Sequence, residues 1–189
     1  MRLNPIPFWF LRHGETDWNA EGLSQGNTDI PLNHVGIMQA RRAAKTLSVV
    51  PIKTIVCSPL SRAKDTAEMV AEQLKLGVIV DDELREVEFG EQEGKPMGDW
   101  YDDWIAGTYT PVGAETFSAL RARAVSAINR ATALQAPVLV VAHGALWRAF
   151  RYEAGLPANV RTPNALPLHV KPGENGEWVI DQLELVPEF

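Results

Sequence analysis

The sequence predicts an α/β protein, a three-layer α/β/α sandwich with a mostly parallel central sheet and a small helical cap insert at about 95–113. Three observations predict it. Short β-rich runs alternate with amphipathic helical stretches, the pattern of strands joined by crossover helices. The 189 residues are 46% hydrophobic and 22% charged, which suits a single globular domain over 1–189. No internal repeat, low-complexity tract or long linker divides the chain.

In chain order, Pro7 to Leu11 reads as a buried strand. Asn33 can cap a helix to about Leu47, with Val35, Ile37, Met38, Ala40, Ala44 and Leu47 as its apolar face. Ile52 to Cys57 is a second strand. Ser58 then reads as an N-cap and Pro59 as the first position of a helix running to about Leu74. Gly77 to Val80 is a short strand, and a charged loop follows from Glu83 to Gly98. Asp99 to Ala106 forms a brief helix bearing Trp100 and Trp104, broken by Pro111 and Gly113 in the stretch after it. Phe117, Leu120, Ala124, Ile128, Ala131 and Leu134 mark one face of a long helix. Val138 to Ala142 is a strand and Ala145 to Ala154 the helix after it. Leu166 to Lys171 and Trp178 to Leu183 are strands joined by the turn-rich PGENGE.

Composition excludes several function classes. The net charge is −6 and the 18 basic residues are dispersed, so the chain is not expected to bind nucleic acid. No apolar run approaches the roughly 20 residues that span a bilayer, so no membrane partner is expected. Two prolines interrupt the apolar opening segment and no secretory cleavage pattern follows, which makes the cytoplasm the expected location. Cys57 is the only cysteine, which rules out an internal disulfide and a multi-cysteine zinc site.

An open α/β sheet places its site beyond the carboxyl ends of its strands. Two of the four histidines lie there, each followed by glycine: Arg12-His13-Gly14 and His143-Gly144. A lone histidine at such a point is commonly a hydrogen-bonded structural residue, but two at one edge suggest a shared site. Glycine after each lets the backbone turn sharply and approach a ligand. Arg62 falls in the first turn of its helix, where the macrodipole disfavours a cation unless an anion lies between. With Arg12 it supplies two planar forks matched to phosphate oxygens. Glu86 sits among Glu83, Glu88, Glu91 and Glu93, and could protonate a leaving oxygen if its environment favoured the acid form.

Four ordered segments, FLRHGETDWN, SPLSRAKDTAE, LREVEFGEQEG and VVAHGALWR, resemble the signature blocks of the histidine phosphatase superfamily, the phosphoglycerate mutase-like proteins. The likeness runs from about Phe8 to Arg148, with lesser agreement at Gln25-Gly26 and at Gly113-Ala114-Glu115-Thr116. It implies that His13 is a nucleophile forming a phosphohistidine. It implies that Arg12, Arg62 and His143 hold the phosphoryl oxygens, with Gly14 giving close backbone approach. Asn19 and Gln25 match phosphate-contacting positions, and the Gly144 or Ala145 amide at a helix start is a further phosphate ligand. Glu86 matches the proton donor, although Glu88 could compete for that role. The chemistry it implies needs no cofactor and no metal.

The superfamily contains phosphatases, mutases and a few binding proteins. Glu86 and His143 are 57 positions apart, short of the insertion a mutase usually carries. Between Val87 and Gly113 one basic residue, Lys95, faces six acids, a poor clamp for a second anionic group. A phosphatase acting on a small-molecule phosphate ester is therefore the expectation. Its alternatives are mutase-type phosphoryl transfer, a non-catalytic phosphate-ligand binder and a metal-dependent hydrolase. Trp100, Tyr101, Trp104 and Tyr109 either form an aromatic wall over the leaving group, or Trp100 and Trp104, spaced i and i+4, simply pack their helix onto the body. The first case makes a nucleoside-like ester such as α-ribazole phosphate attractive; a broad-specificity metabolite phosphatase is equally compatible. Asn164 either helps to pin the site or, the favoured reading, is a turn residue before a strand. The apolar rim of the C-terminal hairpin makes a homodimer possible.

Overall fold

A computed structural model describes residues 1–188. Six strands form one sheet: β1 (Phe8–Arg12), β2 (Thr54–Cys57), β3 (Ile79–Val80), β4 (Val138–Ala142), β5 (Leu168–Pro172) and β6 (Trp178–Gln182). Their spatial order is β3-β2-β4-β1-β5-β6. Strands β3, β2, β4 and β1 run parallel, whereas β5 is antiparallel to β1 and β6 to β5, so the sheet is mixed. The antiparallel edge is the predicted C-terminal hairpin.

Side chains alternating along the central strands build two cores. Phe8, Phe10, Val138, Val140 and Ala142 meet Leu120 and Ile128 of α5 (Phe117–Thr132) and Leu146, Trp147 and Phe150 of α6 (Gly144–Glu153). Leu11, Ile55, Cys57, Leu139 and Val141 face Ala43, Ala44 and Leu47 of α2 (His34–Leu47) and Ala63, Ala67 and Val70 of α3 (Ser61–Leu74). Each fully buried Leu, Ile, Val or Phe contributes about 1.5–3 kcal/mol.

Two local expectations are corrected, and one element is added. The buried face of α2 is Gly36, Ala40, Ala43, Ala44, Thr46 and Leu47, with Val35 and Met38 exposed. Small residues prevail because α2 must approach other backbone: a Cβ on Gly36 would collide with the Glu15 carbonyl oxygen. Ser58 is not an N-cap, because α3 begins three residues later, after Leu60. A one-turn helix, α1 (Asp17–Glu21), lies in a stretch for which the sequence analysis assigns no element. Its capping box joins Thr16 and Asn19, each side chain accepting from the other's backbone N–H.

The segment from Glu86 to Thr116 crosses over the carboxyl end of the sheet. Its first part is tied to residues 22–28: Ser24 N–H donates to Lys95 O (2.9 Å) and Gly94 N–H to Ser24 O (2.8 Å). Its helix, α4 (Trp100–Ala106), docks on α5 through Trp104, whose ring lies 5.0 Å from Phe117 and whose Nε1 donates to Glu115 O at 2.9 Å.

Candidate active site

Adjacent pairing of β1 and β4 puts Arg12 opposite Ala142, and the next residues, His13 and His143, share one edge. Their ring centroids are 5.3 Å apart and both rings are buried. His13 Nδ1 lies 2.6 Å from Gly14 O. A carbonyl only accepts, so Nδ1 is the donor and a neutral ring keeps its lone pair on Nε2. Burial, then Arg62, then Arg12 hold the His13 pKa well below its usual range, so the ring is neutral at physiological pH. Asn164 Nδ2 donates to His13 O (3.0 Å) and Ala165 N–H to Arg12 O (2.9 Å). The turn before β5 thus pins the strand end, so Asn164 is both the turn residue and the pin that its two sequence readings set against each other.

Arg12 Nη1 donates to Thr162 O at 2.9 Å. Arg62 is 1% exposed, with Nη1 on Thr28 O (2.8 Å) and Nη2 on Gly26 O (2.7 Å). Both guanidinium groups are held by backbone carbonyls and neither enters an ion pair among the described residues, so their charge is not neutralised. Burial pushes both pKa values down to about 10, which leaves both cationic at neutral pH. His143 Nε2 lies 2.7 Å from Ser58 Oγ, which accepts from Leu60 N–H at 3.2 Å and donates its hydroxyl proton to Nε2 in the tautomer that carries the ring proton on Nδ1. Burial first, then Arg62 and His13, also hold His143 well below the usual imidazole range. Arg12 Nε, Arg62 Nε and His143 Nδ1 are buried without a protein partner. An unmet buried donor costs about 1–3 kcal/mol, which a ligand can recover.

Glu86 is 8% exposed and accepts three backbone N–H bonds. Its Oε2 takes Ala145 N–H (2.9 Å), and its Oε1 takes Leu146 N–H (3.0 Å) and Val87 N–H (3.0 Å). A carboxylate at the start of α6 suits the positive end of the helix. The backbone carrying Glu86 is clamped by Arg123 of α5. Arg123 Nη1 donates to Glu83 O (2.8 Å) and Arg85 O (2.6 Å), while Nε and Nη2 grip the Glu115 carboxylate at 3.0 and 2.8 Å.

Arg12, His13, Arg62 and Glu86 line a cavity of about 330 Å³ with Asn19, Gln25, Gly144 and Ala145, whereas His143, whose ring meets that of His13, is not among the lining residues. Asn19 Oδ1 accepts from Thr16 N–H and Asn164 Nδ2, which leaves its NH₂ group for other partners. Gln25 Oε1 accepts from Thr16 Oγ1 at 2.6 Å. A larger groove of about 1200 Å³ follows α2, α3 and the C-terminal segment, and none of His13, Arg62, Glu86 and His143 lines it.

Four expectations change. Gly14 does not line the cavity: its N–H donates to Thr66 Oγ1 (3.1 Å), and a Cβ there would collide with the Gly36 carbonyl oxygen. It is glycine because α2 passes so close. The Ala145 amide is engaged by Glu86, leaving that of Gly144 as the helix-start N–H not bound by Glu86. Trp100 and Trp104 do not line the cavity, since both pack among Phe89 and Tyr101. Of the expected aromatic wall only Tyr101 lines the cavity, beside Phe89; Tyr109 does not. None of the six acids between Val87 and Gly113 lines the cavity either, so the acidic balance of that segment says nothing about a second anionic group. Two cationic lining residues, Arg148 and Arg161, escaped the sequence reading; the position of Arg148 one turn beyond His143 was the available signal.

Among the described residues no three His, Cys, Asp or Glu side chains form a group that could hold a metal ion, and no helix is long and apolar enough to cross a membrane. Residues 8–170 match the profile of the histidine phosphatase superfamily (branch 1). PhoE of Bacillus subtilis, described as an uncharacterised phosphatase, is 37% identical over 145 residues, 76% of this chain and 74% of PhoE. GpmB of Proteus mirabilis, named for a phosphoglycerate mutase, is 34% identical over 166 residues, 81% of this chain and 77% of GpmB. A mycobacterial glucosyl-3-phosphoglycerate phosphatase solved with VO3 matches at TM-score 0.83 and 29% identity, over 93% of this chain and 97% of that one. A candidate α-ribazole-5′-P phosphatase from Escherichia coli matches at TM-score 0.79 and 29% identity, over 96% and 97%.

Proposed function

The chain belongs to the histidine phosphatase superfamily, and from that premise we propose that it hydrolyses a small-molecule phosphomonoester, without a metal, through a phosphohistidine on His13. The observation that supports this most is the bond from His13 Nδ1 to Gly14 O. It holds a neutral ring with Nε2 as the nucleophile, in a cavity whose buried guanidinium groups have no carboxylate partner.

Nε2 attacks phosphorus, the P–N bond forms and the ester P–O bond breaks. Arg12, Arg62 and His143 Nδ1–H hold the phosphoryl oxygens. Glu86 gives a proton to the leaving alcohol. Both its oxygens accept backbone bonds, so it reaches the leaving oxygen by releasing one, and the freed Ala145 N–H can then meet the phosphoryl group. Water next attacks phosphorus, loses a proton to Glu86, and the P–N bond breaks to restore the neutral ring.

Mutase activity is the second reading, favoured by the likeness to GpmB. The extent of the match to the mycobacterial phosphatase, 93% and 97% of the two chains, supports hydrolysis instead. The test is phosphate release from p-nitrophenyl phosphate, 3-phosphoglycerate and α-ribazole phosphate in excess EDTA, with His13→Ala as control. Release that survives EDTA and vanishes in the variant is expected. Release lost to EDTA but kept by His13→Ala overturns the mechanism. Isomerisation of 3-phosphoglycerate without net release establishes the mutase.

A further inference from the structure

Ser58 has no part in the chemistry proposed at His13, yet it is fully buried beside the second histidine. It is the residue after β2, and its N–H donates to Val141 O of β4 (3.1 Å), so two neighbouring strand ends set it against His143. Its hydroxyl has two neighbours, Leu60 N–H at 3.2 Å and His143 Nε2 at 2.7 Å. His143 is kept neutral by burial, then by Arg62, His13, Arg12 and Arg123. A neutral imidazole carries one ring proton, and the nitrogen that holds it decides what the ring offers a ligand.

The two placements of that proton are not equivalent. With the proton on Nδ1, Leu60 N–H donates to Ser58 Oγ, the hydroxyl donates to Nε2, and Nδ1–H is left to donate. With the proton on Nε2, two N–H groups point at Ser58 Oγ and the hydroxyl proton has no acceptor among the described residues. Nδ1, which has no protein partner, is then a buried lone pair. Each unmet buried group is a cost, so the first placement prevails. Nor does the ring serve its own helix. His143 is the N-cap of α6, but the amides of Ala145 and Leu146, the second and third of the helix, are bonded to Glu86.

We infer that Ser58 is a positioning residue: its hydroxyl keeps the ring proton of His143 on Nδ1, so that a neutral imidazole donates to the phosphoryl group. The inference deepens the phosphatase reading and rests on it for the acceptor. Both histidines then carry their proton on Nδ1 but turn opposite nitrogens to the phosphoryl group, His13 its Nε2 lone pair and His143 its Nδ1–H. One ring attacks while the other donates, and neither has to change its charge beforehand.

The test reads the ring directly. In protein with isotopically labelled histidine, the nitrogen chemical shifts of His143, assigned with His143→Gln, are expected to show Nδ1 protonated and Nε2 not. In Ser58→Ala, Nε2 loses its donor and is expected to take the proton in a substantial share of molecules, while kcat on an alkyl phosphate falls about tenfold to a hundredfold. Ser58→Cys, whose thiol is a weaker donor of similar size, is expected to fall between the two on both readings, and replaces Ser58→Ala should that variant not fold. A wild-type His143 protonated on Nε2 overturns the inference. So does a variant in which the tautomer moves without the rate, or the rate without the tautomer; the second result would make Ser58 merely structural. If no ester is turned over, the phosphatase reading fails separately, and calorimetric affinity for inorganic phosphate takes the place of the rate. Binding about tenfold weaker in Ser58→Ala upholds the inference, and equal affinities overturn it.

Discussion

The inner end of the site joins strand termini to the first turn of α3: His13 and His143 follow β1 and β4 and Arg62 stands on α3, all three buried and fixed by backbone carbonyls or a serine hydroxyl. At its outer end it is built from a half-buried arginine on α6, an exposed arginine in a turn and a tyrosine on the cap helix. The two histidines owe their positions to sheet register, which tolerates almost no displacement, and Arg62 owes its position to two loop carbonyls. Outer-end groups are held through an amide and a ring face, arrangements that can change without disturbing the sheet. The difference teaches where chemistry and where specificity reside: a fixed inner end suits one reaction, and an adjustable outer end suits selection among esters.

The largest break in this comparison is His13→Ala, expected to lower kcat on the order of a thousandfold or more, read by phosphate release. Activity above a tenth of wild type would remove the nucleophile from the inner end. Glu86→Gln is expected to cost about a hundredfold on an alkyl phosphate and under about tenfold on p-nitrophenyl phosphate, whose leaving group needs no proton. Equal losses on both esters would assign Glu86 to binding.

A smaller, sharper test is Arg123→Met, which removes the clamp on the Glu86 loop. The expected result is a roughly tenfold fall in kcat on alkyl esters, with p-nitrophenyl phosphate spared and Arg123→Lys partly restoring the rate. A fall in melting temperature with kcat untouched would make the clamp purely structural.

The smallest effect is on stability against pH. His13 and His143 are held below their ordinary 6.5 in the folded protein. Below that pH the unfolded chain takes up protons that the folded chain refuses, so stability present above 6.5 is lost on acidification. The loss is at most about 1.4 kcal/mol per ring for each pH unit, read from urea midpoints at several pH values. His13→Ala and His143→Ala are each expected to flatten the slope, and an unchanged slope in both would place the titration elsewhere.

Much of the inner end was legible because its residues are tied to strand ends, and a strand end is a local signal. Arg12-His13-Gly14 and His143-Gly144 each follow an apolar run that could only be a buried strand. Gly14 was legible as a necessity but not for its reason, because the Gly36 carbonyl that forbids a side chain there comes from another element. The paired tryptophans of α4 could not be assigned between wall and core, because both uses need the same spacing. Only the tertiary structure put Trp104 under Glu115 and brought Phe89 and Tyr101 to the cavity.

By itself, then, the sequence determined the layered α/β architecture, the strand-end histidines and arginines, and through four ordered segments the superfamily. Strand periodicity and the residues that end strands are set by near neighbours, and these a single chain displays. Tertiary structure alone decided that Ser58 faces His143, that Asn164 pins His13, that Arg123 clamps the Glu86 loop, and that Arg148 and Arg161 reach the cavity without acidic partners. Each of these joins residues dozens of positions apart or more, or depends on which groups pack between them. Such distances are fixed by the packing of whole elements, and no local pattern encodes them.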